Sequence, residues 1–173
     1  GQIDRGKIFL GLKYHLPENY NKPYQYEIFN NIKGLELLLE FFKKVIFDPY
    51  ELKELEKQIF WDEHNYYPRL KTETNGFINW LWGGEEIERF CNAFDNPYSG
   101  ARSFIGEDLV ILKDVKFIID ENSHSYSAGI ITRINKDQNV VWIALKDGLL
   151  RVKEFSYKTQ KKSFLKLGLR IHT

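Results

Sequence analysis

Between residues 24 and 46 the apolar positions Ile28, Ile32, Leu35, Leu39, Phe42 and Ile46 recur in alternating steps of four and three. That spacing places one apolar stripe along a helix and predicts an amphipathic helix over about 24–45. Lys43 and Lys44 fall near its C-terminal end, where cations are favoured. Gly34 sits inside the pattern at a cost of about 1 kcal/mol relative to alanine, which suggests close approach to a sheet. A second, shorter stripe follows: Ile87, Phe90, Cys91 and Phe94 stand at i, i+3, i+4 and i+7, with Glu85 and Glu86 in the first turn. Asn96-Pro97 ends it.

The period changes elsewhere. The run Ile8 to Leu12, continuing to Leu16, reads as a strand after a Gly- and Asp-containing turn, and 17–23 as a polar loop. Residues 49–60 suggest a charged, solvated helix, and 61–76, rich in Asn, Tyr, Thr and Pro, a linker. Beyond Phe94 come short β-like runs at 104–105, 109–112, 115–119, 129–134, 140–145 and 149–155. Lys146-Asp147-Gly148 marks a hairpin turn between the last two. Five or six strands in about 70 residues suggest a small antiparallel barrel.

Composition narrows the class. With 43% hydrophobic and 16% aromatic residues the 173-residue chain can fill one ordinary domain or two small ones, and disorder is not expected. Its 25 Lys+Arg against 24 Asp+Glu give no overall basic character. The lone Cys91 excludes an intramolecular disulfide and suits a cytoplasmic protein. No apolar run is long enough for a membrane helix, so no membrane partner is expected. There is no methionine, so Gly1 is expected to be an internal boundary of a longer protein.

Three blocks together resemble one family. Phe77-Ile78-Asn79-Trp80, Glu85 to Phe90, and Ala93-Phe94-Asp95-Asn96-Pro97-Tyr98-Ser99-Gly100-Ala101 follow each other in the order seen where folate-dependent formyltransferases enter their C-terminal β-domain. That group includes methionyl-tRNA formyltransferase and the amino-sugar N-formyltransferases. The family's block reads roughly Ile-Asp-Trp, Ala-Glu-x-Ile/Leu, Arg-Ala-Phe-x-Pro-Trp/Tyr-Pro-Gly-Ala. Near the start, Ile3-Asp4-Arg5-Gly6-Lys7-Ile8 is similar to its "Ile/Leu-Asp-x-Gly-x-Ile" segment, and Gly34 to Leu38 to a "Gly-x-x-Leu-Leu" helix. Two departures stand: Ser99 replaces the family's proline, and 47–66 match nothing in the pattern.

The resemblance implies an α+β chain. The tail end of a Rossmann-like α/β catalytic domain (1–60) would lead through a linker (61–76) into an OB-like β-barrel domain (77–173). It further implies N10-formyltetrahydrofolate as formyl donor, Asp4 as catalytic carboxylate, and Gln2 and Ile3 beside it in the cofactor site. An Asp in this role accepts or relays the proton of the attacking amine while orienting an imidazole. An Asn donates to the developing oxyanion. The family's Asn-x-His segment has no counterpart here, for none of His15, His64, His124 and His172 follows an Asn by two residues. The 173-residue chain is therefore expected to lack turnover. Without the resemblance, Asp4 reads first as a turn residue bonding its own backbone.

Charge is the lever on the acceptor. Residues 123–173 carry 10 Lys+Arg and 3 Asp+Glu, against 15 and 21 in residues 1–122. Such a tail suits tRNA phosphates, the diphosphate of a nucleotide sugar, or an ordinary solvated surface. Tyr66-Tyr67-Pro68-Arg69 offers an aromatic ring and a guanidinium, so Tyr67 and Arg69 are the candidate substrate-binding pair, to stack on a base and hold a phosphate. The acidic first two-thirds favours a nucleotide-linked amino sugar as acceptor, with methionyl-tRNA as the alternative. A non-catalytic OB-like binding module is the reading from another class, and an unpaired strand at 8–12 leaves a homodimer open.

Overall fold

The computed structural model describes residues 9–47, 67–158 and 165–173. They fall into two units. One contains 9–20, 25–47 and 67–68; the other contains 21–24, 69–158 and 165–173.

In the first unit the helix read from the 3.6 period is present: α1 runs Pro23–Phe47, its first two residues belonging with the second unit. None of its residues is buried, and Ile28, Ile32, Leu35, Leu39, Phe42 and Ile46 are all half or more exposed. Ahead of it, Tyr14 and Tyr20 meet the edge of Phe29, with centroids 5.5 and 5.9 Å away, and the Tyr14 hydroxyl donates to Asn30 Oδ1 at 2.7 Å. Two expectations fail here. Residues 9–16 form no strand, because extended backbone needs a ladder partner and no described residue provides one. A Cβ on Gly34 would meet nothing within 4 Å, so that glycine permits no close approach among the described residues. The charged segment 49–60 lies outside the described residues.

The second unit holds the β-structure. A short helix α2 (Thr72–Asn75) interrupts the region expected to be pure linker, and α3 (Gly84–Ala93) leads into β1 (Ala101–Ile105). Then follow β2 (Asp108–Ile119), a 3-10 turn (Ser125–Ser127), β3 (Ile131–Asn135), β4 (Val140–Ala144) and β5 (Gly148–Tyr157). The sheet is antiparallel throughout, in the order β1-β2-β5-β4-β3. The runs at 109–112 and 115–119 are one strand rather than two. Asp114 takes φ 46 between them, yet the pairing with β5 keeps one register from Val110↔Tyr157 to Ile119↔Gly148.

The expected barrel takes the form of an open five-stranded sheet, because β1 and β3 do not pair with each other. Residues 168–173 reach both edges instead. Phe104 and His172 exchange backbone bonds of 2.8 and 2.9 Å beside β1. At the β3 side the Ile171 N–H donates to Gly129 O and the Ile131 N–H to Leu169 O, each at 2.8 Å. Ile78, Ile87, Cys91, Leu112, Ile131, Ile143, Leu150, Val152 and Ile171 fill the core beneath the sheet.

The face of α3 read from the sequence is the face that packs: Ile87, Cys91 and Phe94 are buried and Phe90 lies against them. Its N-terminus is held from outside. Both Asp147 carboxylate oxygens accept from the Gly84 N–H at 3.0 Å, so the β4–β5 turn caps a helix 63 residues earlier. On the next turn Glu88 Oε2 accepts from the Phe117 N–H at 2.8 Å, and Lys116 Nζ donates to Glu88 Oε1 at 2.9 Å.

Candidate functional site

The chain after Pro68 runs extended into α2, and Lys71 holds that turn through its carbonyl, which accepts from Asn75 N at 2.8 Å. Beside this stretch lies the C-terminal end of α3, followed by Tyr98. Between them opens a cleft of about 570 Å3, lined by Arg69, Leu70, Lys71, Thr72, Glu73, Ala93, Phe94 and Tyr98. Its floor is apolar and its rim carries two cations and one acid. The acid is already engaged, since Arg102, only 4% exposed, donates through Nη2 to Glu73 Oε1 at 3.0 Å. Arg69 and Lys71 make no ion pair with any described residue.

A charged cluster stands nearby in the sequence. Asp95, 1% exposed, lies two residues beyond the end of α3. Its Oδ1 accepts from the Asn96 N–H at 2.6 Å and its Oδ2 from the Asp114 N–H at 2.9 Å, while Lys22 Nζ lies 3.0 Å from Oδ2. Lys22 also meets Asp114 at 3.2 Å, and Lys153 meets Asp114 at 3.3 Å. Burial alone would raise both carboxyl groups. The amide donors and Lys22 outweigh it at Asp95, and Lys22 and Lys153 at Asp114, so both are held below the usual carboxylate range. Burial would lower the Lys22 ammonium, but the two aspartates outweigh that and hold it above its ordinary value. The Asp114 N–H bond explains how a non-glycine residue keeps positive φ within a strand.

The outer sheet face presents a third arrangement. Lys116 on β2, Arg151 on β5, Trp142 on β4 and Arg133 on β3 are successive cross-strand neighbours. The Arg133 guanidinium lies 5.1 Å from the centre of the Trp142 ring, within cation–π range.

The sequence-derived site residues divide. Gln2, Ile3 and Asp4 lie outside the described residues, as does Tyr66. Tyr67 belongs to the first unit and is 82% exposed. Arg69 belongs to the second and lines the cleft together with Tyr98. Sequence reading missed Lys71 and Tyr98. Lys71 carries no local signal, and Tyr98 served only as part of the junction pattern. Among the described residues no imidazole pairs with a carboxylate, and no group of three His, Cys, Asp or Glu could hold a metal ion. His124 instead caps the 3-10 turn, its Nδ1 accepting from Tyr126 N at 3.0 Å, and His172 stacks on Phe104.

The sheet and its leading helix agree with what comparison finds. The family model described as "Formyl transferase, C-terminal domain" matches residues 71–166, more than half of the chain. The chain belongs to that family. Among solved structures, a multiply substituted variant of HypX from Aquifex aeolicus is similar in fold. It has a TM-score of 0.51 at 17% identity, covering 73% of this chain and 20% of that one. This chain thus spans about a fifth of the length of that relative. Among curated protein sequences none gives a significant match.

Proposed function

We propose that this chain is part of a folate-dependent formyltransferase that moves a formyl group from N10-formyltetrahydrofolate to a primary amine on a nucleotide-linked amino sugar. The observation that carries it is a family β-domain beginning at residue 71, preceded in the same chain by Ile3-Asp4-Arg5-Gly6-Lys7-Ile8. In this reading 1–60 close a Rossmann-like catalytic domain, 61–76 link, and 77–173 form an OB-like domain. Asp4 is the proton-handling carboxylate. Among the described residues no carboxylate pairs with an imidazole, so the groups that would face the formyl donor are not found there. No described helix is long and apolar enough to cross a membrane.

The test is formyl transfer by the intact enzyme to a nucleotide-linked amino sugar, read by the 28-dalton mass gain of one formyl group replacing a proton (about 28 by composition, in the general acyl-transfer sense). Asp4→Asn should abolish turnover and leave the melting curve unchanged, since Asn preserves turn geometry. The 173-residue chain alone should be inactive, because it lacks the Asn-x-His segment; full turnover by it would overturn the assignment of Asp4.

A second reading has its own observation. The row Arg151–Trp142–Arg133, beside the Glu88-paired Lys116, is a cationic, aromatic strip of the kind that follows a phosphodiester backbone, and it favours methionyl-tRNA as acceptor. A tight tRNA complex that weakens steeply with salt, with no response to nucleotide sugars, would reverse the choice.

A further inference from the structure

We infer that the cleft beside α2 is a binding site for a nucleoside diphosphate, with the base against Tyr98 and the phosphates between Arg69 and Lys71. The site belongs to the β-domain itself and requires nothing of Asp4.

Three features converge on this ligand class. The volume, about 570 Å3, falls within the ~300–1,000 Å3 of small-molecule sites. The polarity is split: Tyr98, 47% exposed, and the buried Phe94 both line the cleft, so its apolar lining includes an accessible ring on which another ring could stack. Among the described residues the charge is uncompensated. Glu73 is neutralised by Arg102, so Arg69 and Lys71 set the sign of the rim, and that sign selects an anion. A simple anion would gain nothing from the apolar wall, and a neutral ring nothing from the two cations. A flat ring joined through a sugar to two phosphates uses both.

Isothermal titration of the 173-residue chain with uridine diphosphate tests the inference. One ligand should bind per chain, with uridine and pyrophosphate alone each at least tenfold weaker. The Arg69→Ala/Lys71→Ala double variant alters only exposed side chains and should weaken binding at least tenfold. Tyr98→Ala should do the same, with the double variant deciding if Tyr98→Ala does not fold. Asp4→Asn should bind as the parent does, which keeps this site distinct from the transfer reaction: nucleotide binding should persist even if no formyl transfer is found. The inference fails if uridine diphosphate does not saturate, or if pyrophosphate binds as tightly. It fails equally if 5-formyltetrahydrofolate, another flat ring with an anionic tail, binds more tightly, or if the variants change nothing.

Discussion

Helices α1 and α3 carry the same kind of sequence pattern and end in opposite circumstances. The longer, α1, has 25 residues, six apolar positions in regular steps and no buried side chain. The shorter, α3, has 10 residues, and its apolar face is sunk in the core. Its first amide is capped by Asp147, its middle bonds β2 through Glu88, and Asp95, two residues past its end, accepts from the Asp114 N–H on β2. Periodicity therefore says that a face exists. What fixes a helix is the set of distant groups that meet it, which periodicity does not show.

The contrast can be broken most sharply by truncating one apolar residue in each helix. Ile87→Ala should destabilise the protein by about 2–5 kcal/mol, as for buried aliphatic residues generally. Leu35→Ala should change stability by under about 0.5 kcal/mol, as an exposed site does. Chemical denaturation of the two variants measures both, and equal losses would mean that α1 is packed after all.

Next in size is Asp95→Asn, expected to cost about 2–3 kcal/mol. That is less than for a fully buried pair, because Lys22 keeps Asp114 as partner. The pH dependence follows from the depressed carboxyl groups of Asp95 and Asp114. Their contribution is present above the unfolded carboxylate value near 3.9 and is lost as pH falls through the lower folded values. Lys22 acts at the other end: its contribution is full below its unfolded value and is lost as pH rises through the raised folded one. Melting temperatures taken across acid pH should fall less steeply in Asp95→Asn than in the parent.

Glycine substitutions sharpen the comparison with opposite signs. A Cβ on Gly84 would run into the Phe117 ring, so Gly84→Ala should cost about 1–3 kcal/mol. A Cβ on Gly34 meets open space inside a helix, so Gly34→Ala should stabilise by about 0.5–1 kcal/mol. The cap has a comparably small effect: Asp147→Ala should cost about 1 kcal/mol, visible as faster amide exchange in the first turn of α3.

Much of the β-domain was legible because its signals are local. The inward face of α3 follows from four apolar residues at helical spacing, and the β4–β5 hairpin from Lys146-Asp147-Gly148. The failures are non-local. The continuity of β2 through Asp114 depends on an acceptor 19 residues away, and the role of Asp95 on cations at 22 and amides at 114. Residues 168–173 escaped notice because isolated bridges carry no alternating run to recognise. Of the site, Arg69 was visible as a cation beside an aromatic pair, whereas Tyr98 joins it in the cleft through the fold of the segment after α3, which no local pattern shows.

The bonds that residues 168–173 make on both flanks of the sheet also bear on solubility. Unpaired strand margins template the addition of further chains, and here short stretches of both margins are already occupied by the protein's own backbone. Loosening that segment, by Gly129→Val against the Ile171 carbonyl for instance, would uncover donors and acceptors on two sides at once and leave both margins open to a further chain.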